Sequence, residues 1–358
     1  MPNKPNPIED YLKKLQPEID REIEKVFPRK ITKNWLSFAL GKADFAYDEE
    51  TLTKGLSEPI WEFLDRGGKR WRPALTILSC EASGGTKKQA LPFTPLVELI
   101  HNGTLLNDDA EDNSQMRRGK PCTHLLYGLD VAINSGDAMY FIPLTLLYQN
   151  PHRLNEHMRT QISDLYAQEM LRVSVGQAMD IWWHKGHKFN VSEEEYLQMC
   201  AYKTGVLARF STRLGAILGG GTKAQVQSLG KFGETIGVAF QIQDDILNLV
   251  GEEFQKGKGI GEDIHEGKRT LMVLHCLKHA SALDQKRLLE ILNSHPEDEA
   301  TILEAIEIIK KTDSIEYAHK KAQVLVKEAW KNVQQNLPHS HAKKTLKDFA
   351  DYLIERKM

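Results

Sequence analysis

Four long segments carry apolar residues at three- and four-residue spacing, and this pattern restricts the chain to a largely helical fold. The segments are residues 88–107, 153–181, 193–219 and 222–250. Such spacing places apolar side chains along one face of a helix, whereas the strict alternation typical of strands is scarce in this sequence. The sequence therefore predicts an all-α fold.

The ends of these segments predict where helices begin and how the chain is divided. Ser192 is followed three residues later by Glu195, the spacing of a capping box at a helix N-terminus. The length of 358 residues alone favours about two domains, but no linker separates the helical segments. We expect residues 1–7 and the Gly- and Lys-rich region around 252–268 to be mobile, and the latter is too short to divide domains. We therefore predict a single domain over residues 1–358.

Bulk composition excludes several classes of protein. The 47 basic and 49 acidic residues leave a formal net charge of -2, which argues against a general nucleic-acid binder. No stretch approaches the roughly 18 apolar residues that a membrane helix needs, and the N-terminus lacks the apolar core of a secretory signal. The 4 cysteines are widely spaced and form no disulfide framework. We expect a cytoplasmic protein with no nucleic-acid partner and no membrane span.

The first acidic cluster, residues 107–112, follows an apolar helical run. Asp108 and Asp112 lie one turn apart on a helix and share a face. A solvated acidic surface is the plainer explanation, because exposed like charges at this spacing cost only about 0.2–0.5 kcal/mol. This cluster alone therefore indicates little about function.

The second acidic cluster, residues 241–248, lies inside an apolar run. Gln241, Asp244, Asp245 and Asn248 share roughly one helical face. Apolar residues surround them on both sides, and a buried charge requires a partner. Magnesium is a suitable one, since it takes one or two carboxylates and leaves coordination positions for substrate phosphates.

Basic residues lie beside glycines near both acidic clusters. They are found in residues 67–73 (GGKRWRP), in Arg117-Arg118-Gly119, in Lys203-Thr204-Gly205, at Lys256 and Lys258, and in Lys268-Arg269. Each of them singly fits a solvated surface, but the combination fits a diphosphate with magnesium, because Arg and Lys bind phosphate oxygens and glycine lets the backbone approach. The sequence has no P-loop, no dinucleotide fingerprint and no HExxH motif. Nucleotide hydrolysis, dinucleotide binding and zinc-protease chemistry therefore lack support.

Six motifs in order resemble the trans-isoprenyl diphosphate synthases, most of all the eukaryotic-type geranylgeranyl diphosphate synthases. The motifs are GGKRWRP, HNGTLLNDDAEDNSQMRRGKP, GQAMDIWW, YKTG, FQIQDDILN and GEDIHEGKRT. The resemblance runs from about residue 58 to residue 275. It implies a bundle of antiparallel helices around a deep central cavity, and a homodimer or higher homo-oligomer.

The resemblance also implies a role for each matching residue. Asp108, Asp112 and Asp244 would bind magnesium, of which three ions are expected with a bound diphosphate, and Asp109 and Asp245 would support them. The residues expected to hold isopentenyl diphosphate are Lys69, Arg72, His101 and Arg118. Those expected to contact the allylic diphosphate are Arg117, Lys203, Thr204, Gln241, Asn248, Lys258 and Lys268.

Two positions depart from the general family pattern. The second acidic motif ends in Asn248 instead of Asp, and the first carries Glu111 where a small or apolar residue is commoner. Similar geranylgeranyl diphosphate synthases share both features, so neither indicates loss of activity.

The chemistry that the resemblance implies is condensation of isopentenyl diphosphate with an allylic diphosphate: dimethylallyl, geranyl or farnesyl. Ionisation of the allylic diphosphate places negative charge on the leaving group, which magnesium and the cationic side chains Arg117, Lys203 and Lys268 would stabilise. No strong protein base is evident, so the departing diphosphate would take the proton. A class I terpene cyclase is disfavoured, because it needs neither GGKRWRP nor a second acidic motif. A regulatory subunit of a heteromeric synthase and a farnesyl or longer-chain synthase remain alternatives.

Product length depends on what lies deeper than the first acidic motif. Gly103 and Thr104, one turn before Asp108, are small and offer no stop to a growing chain, so Gly103→Phe is expected to shorten the product. The next candidates for a floor are Tyr140 and Phe141, although both also fit an ordinary core. Similar enzymes use this aromatic pair as the floor for a twenty-carbon product, so the sequence predicts geranylgeranyl diphosphate as the main product. A further floor position in some relatives aligns with Ser174, which is small here, so longer products stay open.

Overall fold

The structure is a computed structural model, and it describes residues 6–188, 190–250 and 261–354. Almost all regular structure in these residues is helical. The only strands among them form the antiparallel hairpin β1 (Met116–Arg117) and β2 (Lys120–Pro121). The all-α fold expected from the sequence is confirmed.

The described residues fall into two compact units. Unit 1 comprises the residues up to 165 together with 213–222, and unit 2 comprises 166–212 and the residues from 223 onward. The single domain predicted over residues 1–358 stays a prediction.

Unit 1 contains the hairpin and the first ten helices. They are α1 (Pro7–Val26), α2 (Lys33–Leu40), α3 (Glu49–Leu52), α4 (Glu58–Asp65), α5 (Trp71–Ala82), α6 (Lys87–Ala90), α7 (Pro95–Glu111), α8 (Thr123–Tyr127), α9 (Leu129–Phe141) and α10 (Thr145–Tyr148). A π-helical segment, Thr53–Ser57, joins α3 to α4. The core of unit 1 includes Ile19, Phe27, Phe63 and Leu75, which are fully buried.

Helix α1 has a capped N-terminus and one buried apolar face. The Asn6 side chain accepts a hydrogen bond from the Ile8 N–H at 2.9 Å, and this cap satisfies one of the free donors at the helix start. Apolar residues then recur along one buried face at Ile8, Leu12, Leu15, Ile19, Ile23 and Val26. Asn6 and Pro7, which the sequence analysis placed in a mobile tail, are therefore the cap and first residue of a helix, while residues 1–5 lie outside the described residues.

Unit 2 contains most of α11 (Glu156–His184) and the helices that follow it, except that residues 213–218, at the end of α13 (Val206–Leu218), belong to unit 1. These helices are α12 (Glu193–Cys200), α13 (Val206–Leu218), α14 (Lys223–Val250), α15 (Glu262–His265), α16 (Leu271–His279), α17 (Ala282–Ser294), α18 (Glu299–Lys310), α19 (Ser314–Asn336) and α20 (His341–Ile354). A second π-helical segment, Ala201–Gly205, joins α12 to α13. The core includes the fully buried Tyr196, Phe210, Phe232 and Phe349, and α14 packs along α19.

In unit 2 the structure tests a predicted helix cap and part of a region that was expected to be mobile. The Ser192 hydroxyl accepts from the Glu195 N–H at 3.2 Å, and the Glu195 carboxylate accepts from the Ser192 N–H at 2.8 Å, which confirms the capping box. Residues 261–268, expected to be mobile, instead form α15 and an adjoining turn. Residues 251–260 lie outside the described residues.

None of the helices in the described part of the chain combines the length and the apolar character that crossing a membrane requires.

Candidate active site

The first acidic motif lies at the end of α7 in unit 1. The helix ends at Glu111, and the Asp112 N–H donates to the Asp108 carbonyl oxygen at 2.9 Å. Asp108 and Asp112 are half-buried, whereas Asp109 between them is fully buried. The helical spacing therefore places Asp108 and Asp112 on one accessible face and turns Asp109 into the protein.

The hairpin after α7 places Arg117 next to the buried Asp109. The Arg117 Nε donates to Asp109 Oδ1 at 2.8 Å, and a second guanidinium nitrogen makes a shorter contact with the same oxygen. Burial alone would lower the pKa of Arg117, but the ion pair with Asp109 raises it above its ordinary value. Asp109 thus orients Arg117, and its role as a support for magnesium ligands stays a prediction.

A second part of unit 1 collects cationic side chains. Arg72, in the first turn of α5, donates from Nη1 toward His101 Nε2 on α7 at 3.1 Å. Arg118 adopts a left-handed backbone with φ of 52°, and its guanidinium donates to the Gly67 carbonyl oxygen and, at 3.2 Å, to Asn102 Oδ1. We call Arg72, His101 and Arg118 the cationic cluster. All three were expected to hold isopentenyl diphosphate.

Burial and neighbouring positive charge shift two pKa values in the cationic cluster. Burial, followed by the nearby guanidiniums with Arg72 first, lowers the pKa of His101 well below its ordinary value, so the imidazole is neutral at pH 7. Burial, together with the neighbouring Arg70 and Arg117, lowers the pKa of Arg118 to about 10 despite the attraction of Glu98. Burial and nearby positive charge both disfavour the charged form of a guanidinium, and an anion bound beside Arg118 would stabilise that form.

Not every cation of the GGKRWRP motif belongs to this cluster. Arg70 is buried, and its guanidinium donates to Glu98 at 2.9 Å, to Asp20 at 2.8 Å and to the Leu64 carbonyl oxygen at 3.1 Å. Its role is therefore to hold the turn in place. Lys69, also expected to bind isopentenyl diphosphate, is exposed in the same turn.

In unit 2, a pocket lies against the second acidic motif. The residues that line it include Asp180, Tyr196, Lys203, Gln241, Asp245 and Lys268. Lys203, on the π-helical segment, donates to Asp180 Oδ2 on α11 at 2.6 Å. Any side chain at Gly176 would collide with the backbone of Tyr202 and Lys203, so this glycine allows α11 to approach the π-helical segment closely.

A hydrogen-bonded chain crosses this pocket. Thr204 Oγ1 donates to Gln241 Oε1 at 2.7 Å, and Gln241 Nε2 donates to Asp245 Oδ1 at 2.8 Å. The buried Tyr196 hydroxyl donates to the other Asp245 oxygen at 2.6 Å. Burial raises the pKa of Asp245 above its ordinary value. Both of its oxygens accept hydrogen bonds, while the neighbouring Asp244 is half-buried.

Asn248 was expected to contact the allylic diphosphate, but its side chain has a structural partner. Its Oδ1 accepts from the Asp263 N–H at 3.1 Å, and its carbonyl oxygen accepts from the Gly261 N–H at 3.1 Å. Lys268 follows in the same turn and makes ion pairs with Asp263, at 3.5 Å, and with Glu266. Lys258, another expected ligand, lies outside the described residues.

The residues expected to set product length lie in different environments. Gly103 packs on α9, and a Cβ there would lie 2.7 Å from the Gly136 carbonyl oxygen and 3.0 Å from Tyr140. Thr104 donates to the His101 carbonyl oxygen at 2.8 Å, and the Tyr140 hydroxyl accepts from Asn107 at 3.2 Å. Gly103 is therefore a helix–helix contact and not open space along α7, which corrects the expectation that a larger residue there would act as a stop.

Two further residues of this set are accessible. Phe141 is 67% exposed on α9, so it is not the core residue that its aromatic character suggested. Ser174, in unit 2, is exposed, and its hydroxyl donates to the Met170 carbonyl oxygen at 3.3 Å.

The acidic residues fit magnesium bound together with a phosphate ligand. No cluster of three or more His, Cys, Asp or Glu side chains that could hold a metal by itself occurs in the described ranges. Magnesium needs no such cluster, since it is commonly held by one or two carboxylates, waters and substrate phosphates. The accessible pair Asp108 and Asp112 suits this kind of binding.

Sequence reasoning missed three residues of the site. Asp180, the partner of Lys203, occurred in the quoted GQAMDIWW motif, and a lone carboxylate within an apolar helical stretch was the available signal. Tyr196 gave no signal, because a tyrosine at helical spacing looks like a core residue. Asp263 occurred in the quoted GEDIHEGKRT motif, but an aspartate in a charged turn looks like a surface residue.

The chain is similar to known proteins in sequence and in fold. A family model described as Polyprenyl synthetase matches residues 53–309. The chain is 38% identical over 290 residues to the short chain isoprenyl diphosphate synthase of Methanothermobacter thermautotrophicus, with 81% of this chain and 87% of that protein covered. It is 34% identical over 295 residues to the geranylgeranyl pyrophosphate synthase of Dictyostelium discoideum, with 82% and 92% covered.

A solved structure shares the fold. The crystal structure of geranylgeranyl pyrophosphate synthetase from Pyrococcus horikoshii matches with a TM-score of 0.84 and 30% identity, covering 98% of each chain. Fold and relatives together define a helical prenyltransferase with the isoprenoid synthase fold. The chain belongs to the polyprenyl synthetase family.

Proposed function

We propose that this enzyme condenses isopentenyl diphosphate with allylic diphosphates and releases geranylgeranyl diphosphate as its main product. The observation that carries the proposal is the geometry of the cationic cluster, in which the Arg72 guanidinium contacts His101 and the Arg118 guanidinium donates to the uncharged oxygens of Gly67 and Asn102. A diphosphate supplies several negative oxygens in the geometry that guanidinium groups bind best. Relatives named as geranylgeranyl diphosphate synthases support the twenty-carbon product.

The proposed roles follow the two units. In unit 1, Arg72, His101, Arg118 and the exposed Lys69 hold isopentenyl diphosphate, and Arg117, fixed by Asp109, contributes positive charge to the allylic diphosphate. In unit 2, Lys203, Lys268 and the chain from Thr204 through Gln241 serve the allylic diphosphate. Lys258 keeps its proposed role from the resemblance alone.

Magnesium is the proposed cofactor, with three ions expected alongside a bound diphosphate. Asp108, Asp112 and Asp244 would hold it, because these three side chains are only half-buried, whereas Asp109 and Asp245 are buried. Bound there, magnesium would neutralise charge on the leaving diphosphate.

In the reaction, the allylic C–O bond breaks and both of its electrons leave with the diphosphate. The double bond of isopentenyl diphosphate then forms the new C–C bond with the resulting cation. The product double bond forms as a proton leaves the condensed cation, and the departing diphosphate accepts that proton. The chain's contribution is to fix both diphosphates with Arg and Lys side chains already in place, so that little reorganisation accompanies the charge that develops.

We also propose that the enzyme acts as a homodimer or higher homo-oligomer in the cytoplasm. Apolar side chains are exposed on α8 and α9 of unit 1, namely Leu125, Leu126, Leu129, Ile133 and Phe141, and on α11 of unit 2, namely Leu171, Val175 and Trp182. A second copy of the chain would cover such surfaces. The buried, unbridged cysteines suit a reducing compartment. Sedimentation analysis of the purified protein tests the assembly, and a monomer at micromolar concentration would contradict it.

A turnover assay on the purified chain alone tests the proposed function. Radiolabelled isopentenyl diphosphate is supplied with dimethylallyl, geranyl or farnesyl diphosphate, and the dephosphorylated products are separated by chromatography. We expect twenty-carbon alcohol from all three primers. Mainly fifteen-carbon or longer alcohols would identify a farnesyl or longer-chain synthase, and no turnover with a folded protein would favour a regulatory subunit.

A further inference from the structure

Two residues of α7 connect the buried ion pair of Arg70 to the cationic cluster. Glu98 and Asn102 are one helical turn apart and face the same side, and both are almost completely buried, at 2% and 0% exposure. Glu98 Oε1 accepts from Arg70 Nη1 at 2.9 Å and from Asn102 Nδ2 at 2.9 Å. Asn102 Oδ1 in turn accepts from Arg118 Nη2 at 3.2 Å. The contacts therefore run from Arg70 through Glu98 and Asn102 to Arg118.

Glu98 determines which way the Asn102 amide faces. The Asn102 Nδ2 also donates to the Glu98 carbonyl oxygen at 2.7 Å, so both of its nearest partners on this side are acceptors. An amide that was rotated by 180° would place its oxygen against these two oxygens, which is unfavourable. The amide oxygen consequently faces Arg118.

The neutral amide also preserves the charge of Arg118. The hydrogen-bond acceptors of the Arg118 guanidinium in the described structure are the carbonyl oxygen of Gly67 and the amide oxygen of Asn102. Neither carries a formal charge, whereas Arg70 and Arg117 both donate to carboxylates. An amide can thus orient the guanidinium without neutralising it, and the full charge stays available to an anion.

We infer that Asn102, held by Glu98, is a positioning residue that orients Arg118 for the diphosphate of the non-allylic substrate. This inference rests on the proposed function, because Arg118 is assigned there to isopentenyl diphosphate. It adds a residue that touches no substrate and acts only through Arg118.

A double-mutant cycle tests this mode of action. The variants are Asn102→Ala, Arg118→Ala and the double variant, and the readouts are KM for isopentenyl diphosphate, KM for farnesyl diphosphate and kcat. Asn102→Ala removes one hydrogen bond to a charged group, so we expect KM for isopentenyl diphosphate to rise about tenfold. KM for farnesyl diphosphate should change by less than twofold. The double variant should bind no more weakly than Arg118→Ala alone, because the two residues act as one unit.

Direct binding separates this inference from the proposed function. Titration calorimetry in the presence of a chelator measures the affinity of the wild type for isopentenyl diphosphate and for inorganic diphosphate, without magnesium at the aspartates. If the wild type binds inorganic diphosphate through Arg118 but shows no turnover, the proposed function fails, and weaker binding by Asn102→Ala still supports the inference. If wild type and Arg118→Ala bind both anions equally, the role assigned to Arg118 fails and the inference fails with it, whereas the proposed function is still decided by turnover.

Matched variants control for a general loss of stability. Ser57 is equally buried, and its hydroxyl donates to the carbonyl oxygens of Pro28 and Arg29. Ser57→Ala should lower the melting temperature without changing either KM.

If Asn102→Ala does not fold, Asn102→Ser retains a small polar group and should show an intermediate KM. Additive effects of Asn102→Ala and Arg118→Ala in the cycle would overturn the inference, as would an unchanged KM in Asn102→Ala.

Discussion

Asn248 near the end of α14 is joined to Asp263 in α15 by a hydrogen bond of 3.1 Å from the Asp263 N–H to the Asn248 amide oxygen. A second bond, from the Gly261 N–H to the Asn248 carbonyl oxygen, has the same length. Residue 248 therefore fixes the start of the turn that carries Lys268. This relationship gives the neutral residue at the end of the second acidic motif a structural function.

The Asn248 contact predicts different outcomes for two substitutions. A carboxylate can still accept from the Asp263 N–H, so Asn248→Asp should fold and stay active, with at most a modest change in magnesium dependence. Asn248→Ala leaves a buried N–H without its acceptor and should cost about 1–3 kcal/mol of stability. Thermal unfolding and magnesium titrations of activity measure both effects. An inactive Asn248→Asp, or an Asn248→Ala as stable as the wild type, would contradict this account.

The proposed metal ligands predict a sharp contrast within one helix. Asp108→Ala should lower kcat by more than about 100-fold, a larger loss than is typical of residues that only support metal ligands. Helical circular dichroism should be unchanged, because Asp108 is half-buried at the end of α7. Glu111→Ala removes the same charge from an exposed position of the same helix and serves as the control, with near wild-type kcat.

In unit 2 the corresponding variant is Asp244→Ala, which should also lower kcat by more than about 100-fold. Chelator should abolish wild-type activity, and added magnesium should restore it. Near wild-type turnover by either aspartate variant would reject the assignment of that aspartate.

His101 predicts a dependence of stability on pH. Burial and the neighbouring guanidiniums lower the pKa of His101 in the folded protein below its value of 6.5 in an unfolded chain. Below pH 6.5 the unfolded state therefore binds more protons than the folded state, so the free energy of unfolding decreases as the pH falls. The loss approaches about 1.4 kcal/mol per pH unit for one proton. His101→Gln, which keeps an acceptor for Arg72, should show a smaller fall in melting temperature between pH 7.5 and 5.5.

Bound diphosphate should reverse part of this effect. Its negative charge beside the imidazole would raise the pKa of His101, so saturating isopentenyl diphosphate should narrow the difference between wild type and His101→Gln at pH 5.5. Parallel pH profiles of the two proteins, with and without ligand, would show that His101 does not titrate in this way.

The buried ion pair of Arg70 predicts that its removal lowers stability without weakening substrate binding. It shares a buried ion pair with Glu98, and removal of one partner of such a pair typically costs about 3–5 kcal/mol. Arg70→Ala should therefore lower the free energy of unfolding strongly. Arg72→Ala should instead raise KM for isopentenyl diphosphate and destabilise less. Denaturant unfolding together with steady-state kinetics distinguishes them, and the opposite pattern would reverse the two roles.

Substitutions along α7 and α9 test which residues set product length. Gly103→Phe, which the sequence alone suggested would shorten the product, should instead destabilise the protein, because even a Cβ would lie 2.7 Å from the Gly136 carbonyl oxygen. Overpacking of this kind costs about 1–3 kcal/mol or more. Thr104→Phe should shorten the main product, and Tyr140→Ala should lengthen it. Chromatography of the dephosphorylated alcohols measures both lengths, and unchanged products in both variants would mean that the prenyl chain follows another path.

The sequence predicted the features that depend on local spacing. Apolar periodicity identified the helices, the Ser192–Glu195 spacing identified a cap, and the four-residue spacing of Asp108 and Asp112 placed them on one face. The resemblance to a known family supplied the enzyme class, which the comparisons confirmed.

Features that depend on distant partners could not be predicted in the same way. Arg70 and Arg72 are two residues apart in one motif, and only the position of Glu98 separates the structural cation from the one in the cationic cluster. Gly103 looked like open space, because a sequence cannot show which helix packs against a small residue. Asn248 was expected to contact a substrate, and its hydrogen bond to Asp263 could not be foreseen because Asp263 lies fifteen residues further along the chain.

The contact between Gly103 and Gly136 also restricts how such an enzyme can diverge. Because the α7 and α9 backbones meet there with no room for a Cβ, position 103 has no single substitution that keeps the two helices at their present separation. A lineage derived from this chain would therefore retain glycine at 103, and any change in product length that arises along these two helices would be expected at positions such as Thr104 and Tyr140, which already carry side chains.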